Sequence, residues 1–65
     1  MEIDVLKVKV LLAEQGKTQA KLAEDCSVSR QSISTILTKG RCNPITAGKI
    51  AKGLGVHVSA IMKEV

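Results

Sequence analysis

Six side chains within one short stretch, Ser29, Arg30, Gln31, Ser32, Ser34 and Thr35, can each donate or accept a hydrogen bond, and only Arg30 among them is charged. Gathered on one surface, such a set recognises a partner by hydrogen bonding, because no base stands beside these hydroxyls to make a nucleophile of them. Other reactive groups are sparse. Cys26, Cys42 and His57 are three possible metal ligands at irregular spacing, with no second Cys or His pair beside them, so no metal site is expected. Two cysteines form at most one bridge, far short of the framework of small secreted domains. Cys26 reads as a small core residue, Cys42 as a loop thiol and His57 as a surface or boundary residue. Paired catalytic carboxylates and a glycine-rich phosphate loop are missing from the pattern, which disfavours an enzyme and implies no cofactor.

The elements that must position those six side chains follow from caps and periodicity. Residues 3 to 15 are ambiguous: Leu6, Val8, Val10 and Leu12 alternate as in a strand, while Ile3, Leu6, Val10 and Ala13 form a helical stripe. A helix is expected, since the run is long for a strand, Gly16 can end it, and no other segment offers a pairing partner. Thr18 suits the N-cap of a second helix through Cys26, with Leu22, Ala23 and Cys26 on one face. Ser29 suits the N-cap of a third helix through about Lys39, where Ile33, Ile36 and Leu37 have the spacing of a buried stripe and Gly40 closes the element. Asn43-Pro44 opens a fourth helix that ends at Gly55, weakened inside by Gly48 and Gly53. A short fifth helix is expected near Val58 to Lys63. The expectation is thus an all-α, five-helix fold over residues 1–65 as one domain.

Size and charge narrow the class further. Sixty-five residues allow one small core of marginal stability. The longest stretch without Lys, Arg, Asp or Glu, Gly53 to Met62, is too short to span a bilayer. The Met1-Glu2-Ile3-Asp4 start lacks the basic region of a secretory signal, so a cytoplasmic location is expected. The net charge of +4 is unevenly placed. Residues 1–25 set Lys7, Lys9, Lys17 and Lys21 against Glu2, Asp4, Glu14, Glu24 and Asp25, a net −1; residues 26–65 set Arg30, Lys39, Arg41, Lys49, Lys52 and Lys63 against Glu64 alone, a net +5. A basic C-terminal portion suggests a polyanionic partner, though on charge alone an ordinary solvated surface is the favoured reading. With no Phe, Tyr or Trp to stack on bases, single-stranded and RNA modes lose ground to duplex reading.

Pattern decides between these. Two short helices joined by a three- or four-residue turn, the second polar on its outer side, form the arrangement that lays a helix in the DNA major groove. Residues 18 to 38 fit it, with Leu22 and Ala23 facing inward, Val28 plugging the turn, and Ile33 and Ile36 anchoring the second helix. Thr18-Gln19-Ala20-Lys21-Leu22-Ala23 and Val28-Ser29-Arg30-Gln31-Ser32-Ile33-Ser34 resemble the helix-turn-helix of the lambdoid phage repressor and Cro family. The later run from Thr46 through Lys49 and Leu54 to Val56 is similar to the fourth-helix region of that family. The resemblance implies a lambda-repressor-like fold and binding to double-stranded DNA.

Carried over position by position, the resemblance implies base reading by Arg30, Gln31 and Thr35. Arginine forks onto guanine O6 and N7, glutamine pairs with adenine N6 and N7, and a threonine methyl touches thymine. Gln19, Ser29 and Ser32 are expected near phosphates, with Lys39 and Arg41 adding charge beyond the recognition helix. Two positions depart from the family pattern: Ser27 occupies the turn position usually held by Gly, and Leu37 stands near a place where Glu is common. A left-handed Ser27 would cost roughly 1 kcal/mol.

The function expected is a DNA-binding transcriptional regulator, a repressor on a pseudo-palindromic operator. The rival is a protein-interaction module on the same fold, such as an antitoxin or an adaptor. The C-terminal apolar set Val56, Val58, Ile61, Met62 and Val65 exceeds what a minimal helix needs, and the excess serves either the core or a homodimer contact that spaces two recognition helices one DNA turn apart.

Overall fold

Four residues with short polar side chains, Asp4, Thr18, Ser29 and Asn43, stop the chain from continuing extended and start its helices. Each accepts the backbone N–H three residues on, at 3.1, 3.1, 3.1 and 2.7 Å respectively. The computed structural model describes residues 1–63 of the chain. Its helices are α1 (Val5–Gln15), α2 (Gln19–Asp25), α3 (Arg30–Lys39) and α4 (Pro44–Leu54), followed by a single 3-10 turn at Val58–Ala60. Gly16, Gly40 and Gly55 end α1, α3 and α4 in the left-handed conformation, the reversal glycine makes at least cost.

These elements enclose one apolar cluster. Leu22 and Ala23 from α2, Ile33, Ile36 and Leu37 from α3, and Ala47, Ile50, Ala51 and Leu54 from α4 are buried, as the stripes in the sequence require. Cys26 joins them, and Val28 packs against them from the turn. Gly53 lets α4 close on α2: a Cβ there would lie 3.1 Å from the Cys26 Cβ and 3.4 Å from the Cys26 nitrogen. Gly48 has open space around it and plays no such part. The α1–α2 corner is fastened to the end of α4, where Gln15 Nε2 donates to the Leu54 carbonyl at 2.7 Å and Lys17 Nζ to the Gly53 carbonyl at 2.9 Å.

Three expectations are corrected. Among the described residues the fifth helix is absent: they form four α-helices, and the Val58–Lys63 segment makes only the 3-10 turn, capped by His57 Nδ1 accepting the Ser59 N–H. Beyond the turn the chain pairs with the N-terminus instead, Asp4 N donating to the Ile61 carbonyl at 2.8 Å and Lys63 N to the Glu2 carbonyl at 3.2 Å. The N-terminal residues therefore do find partners. Glu2 bridges Arg41 and Ile3 bridges Met62, both antiparallel, so α1 begins at Val5 rather than Ile3. The third correction is the face of α1. Val8 and Leu12 enter the core, whereas Leu6 and Val10 of the expected stripe are 71% and 46% exposed. Ile3 reaches the core from the extended segment that docks beside Gly40, not from α1.

The C-terminal apolar set goes mainly to the core. Ile61 is fully buried, Val56 and Val58 are packed against the cluster, and Met62 remains exposed. Val65 lies outside the described residues.

Candidate nucleic-acid interface

Once Ile33, Ile36 and Leu37 are buried, the 3.6-residue period leaves Arg30, Gln31, Ser32, Ser34 and Thr35 exposed on the outside of α3. The helix holds no acidic residue, and Arg30 in its first turn and Lys39 in its last are its charges. Its N-terminus is shaped by two serines acting together. Ser29 Oγ accepts the Ser32 N–H at 3.1 Å and donates to Ser32 Oγ at 2.8 Å. The Ser29 hydroxyl is thus engaged locally, while the Ser32 side chain stays exposed to a ligand.

The expected site residues fall into three groups. Gln31, Ser32 and Thr35 line one open groove together with Val28, Ile36, Cys42, Asn43 and Thr46. Lys39 and Arg41 meet on a second groove, at the far end of α3, together with Glu2, Asp4 and Lys63. Arg30 and Gln19, exposed at the first positions of α3 and α2, and the exposed N-cap Ser29 line neither groove. Sequence reasoning missed Asn43 and Thr46. Their cap was legible from Asn43-Pro44, yet nothing local says that the start of α4 lies beside Gln31 and Thr35.

The turn that aims α3 carries its own strain. Ser27 has φ +57°, the left-handed region where the family pattern favours Gly, so the side chain is accommodated at a conformational cost. Cys26 and Val28 hold the turn through backbone hydrogen bonds to Leu22 (2.9 Å) and Ala23 (3.0 Å). Lys17 Nζ sits 3.0 Å from Asp25 Oδ2 at the end of α2, and Lys21 Nζ 3.4 Å from Asp25 Oδ1. The hydrogen bond from Lys17 holds the Asp25 carboxyl below the usual carboxylate value. Lys49 and Lys52 of α4 stand with Asp25 and Ser27 around the turn.

Covalent chemistry finds little here. Burial pushes the Cys26 and Cys42 thiols up, which keeps them protonated near neutral pH. Among the described residues no three His, Cys, Asp or Glu side chains gather to hold a metal, and no helix is long and apolar enough to cross a membrane.

The family model described as "Helix-turn-helix", of the Cro/C1 type, matches residues 8–61, from within α1 to just beyond the 3-10 turn. No curated protein and no solved structure matches the chain.

Proposed function

From the premise that the chain belongs to the Cro/C1-type helix-turn-helix family, a family of DNA-binding regulatory domains, we propose that it is a repressor that occupies a short pseudo-palindromic operator as a homodimer. The observation that carries this reading is the outer side of α3, where Arg30, Gln31, Ser32, Ser34 and Thr35 stand exposed with no acidic residue among them. Arg30, Gln31 and Thr35 read base edges in the major groove. Gln19 and Ser32 position the domain on phosphates, Ser29 acts by shaping the helix start, and Lys39 and Arg41 add attraction beyond the recognition helix. The mechanism is occlusion: the domain needs no cofactor, and bound at a promoter in the cytoplasm it denies the site to other proteins.

Selection from random duplex DNA tests this directly. The unaltered protein is expected to enrich one consensus, and Arg30→Ala and Gln31→Ala each to lose about 1–3 kcal/mol for it while relaxing preference at one base position. Affinity should fall steeply with salt, as phosphate contacts release counterions. Absence of any enriched sequence, or binding indifferent to salt, would transfer the exposed α3 surface to a protein partner, the antitoxin or adaptor reading.

A further inference from the structure

The rotation of α1 leaves an apolar strip on the surface. Leu6 and Val10 are exposed, and with Leu11, Lys7 and Ala60 they line a shallow groove in which the Lys7 ammonium is the only polar side-chain group. We propose that this strip is where two copies of the chain meet, α1 packing antiparallel on its twin across a two-fold axis at Val10.

Three features select a second copy as the occupant. Val10 is the midpoint of Val5–Gln15, so an antiparallel pair centred there overlaps along the whole helix, about 16 Å. Lys7 and Glu14 lie seven residues apart, two turns along the same side of the helix. Antiparallel pairing therefore sets Lys7 against the partner's Glu14 twice over, with Leu6 against the partner's Ala13. The parallel alternative would stack Lys7 on Lys7 and Glu14 on Glu14, which selects the orientation. Neither Lys7 nor Glu14 takes part in the ion pairs found among the described residues, which involve Lys17, Lys21, Glu24 and Asp25. Glu14, one turn beyond Val10 on the same side of α1, places an acid next to the strip, which suits that side poorly to a phosphate backbone.

A single helix seam of this length falls short of the roughly 1,200 Å² of a standard interface, so the pair is weak in free solution and gains from adjacent half-sites. The inference thus deepens the homodimer part of the proposed function and sets α1 in place of the C-terminal residues as the contact, since of that set Ile61, Val56 and Val58 are turned to the core and Met62 alone is exposed among the described residues.

The test needs no DNA. In a Cys26→Ala, Cys42→Ser background whose helicity is verified by circular dichroism, Val10→Cys should oxidise to a disulfide-linked dimer, because helix axes 8–10 Å apart bring facing Cα atoms within bridging range. Lys9→Cys, exposed but off the strip, serves as the comparison. With the native cysteines kept, Lys7→Glu and Glu14→Lys should each weaken the dimer about tenfold in sedimentation equilibrium, and the double exchange should restore it. Cross-linking of Val10→Cys no faster than Lys9→Cys, or a double exchange no better than the singles, overturns the proposal. Failure to enrich any DNA sequence would overturn the operator reading alone and leave the dimer result standing.

Discussion

Two helices of similar length, α1 and α3, are held by the same core and present opposite surfaces. From α3 the described structure exposes an arginine, an amide and hydroxyls without a carboxylate; from α1 it exposes Leu6 and Val10 flanked by Lys7, Lys9 and Glu14. The contrast shows that burial leaves the choice of partner open. Val8 and Leu12 anchor α1 as Ile33 and Ile36 anchor α3, and the remaining side chains decide what each helix can meet. Hydrogen-bonding groups without negative charge suit a polyanion with patterned edges. An apolar strip with both signs of charge suits a folded protein surface.

The difference can be broken at its base. Ile33→Ala removes a side chain 1% exposed and should cost about 2–5 kcal/mol, read as a lower midpoint in urea unfolding, whereas Leu6→Ala on the exposed side of α1 should stay within about 0.5 kcal/mol of the parent. Equal effects would mean that α1 is seated differently. Ser27→Gly comes next, with an expected gain of about 1 kcal/mol and a higher melting temperature, since glycine relieves the left-handed turn that aims α3. An unchanged melting temperature would remove the strain from the account of the turn.

Gly48→Ala should add about 0.5–1 kcal/mol by helix preference, because a Cβ there meets nothing within 4 Å. As it touches neither of the two contrasted surfaces, DNA selection and self-association should both be unaltered. The smallest effect concerns Asp25. Its pKa is lowered from 3.8 in the folded chain, chiefly by Lys17, so its contribution to stability is complete above that value and is lost as pH falls through the lower folded value. Lys17→Met should flatten this acid-side slope in unfolding measured between about pH 5 and pH 2.

The legible part of the chain was legible because its signals are local. Thr18 and Ser29 cap their own helices, and Ile33, Ile36 and Leu37 sit at a spacing only a helix gathers on one side. The family match over residues 8–61 agrees with that pattern. α1 was legible as a helix and misleading as to its face, since Leu6, Val8, Val10, Leu11 and Leu12 distribute apolar groups around most of its circumference. No stripe dominates, so the periodicity names no inner side. The Val58–Lys63 segment misled for another reason: its apolar residues are consistent with a helix, but the Lys63 N–H donates to the Glu2 carbonyl at the other end of the chain and not to a carbonyl one turn back. Of the candidate site, the polar side chains of α3 could be read from the chain, while their division between two grooves and the company of Asn43 and Thr46 could not.

What the sequence by itself determined, then, is where helices start and stop, which face of α2, α3 and α4 is inward, and which polar groups remain for a partner, because caps and periodicity act within a few residues of each other. Only the tertiary structure decided how α1 is rotated, what the chain does beyond His57, and which side chains share a groove. The first two depend on contacts between residues about forty to sixty positions apart, such as Ile3 with Gly40 and Asp4 with Ile61, and the grooves on how separate helices pack, where backbone groups must find partners once water is excluded.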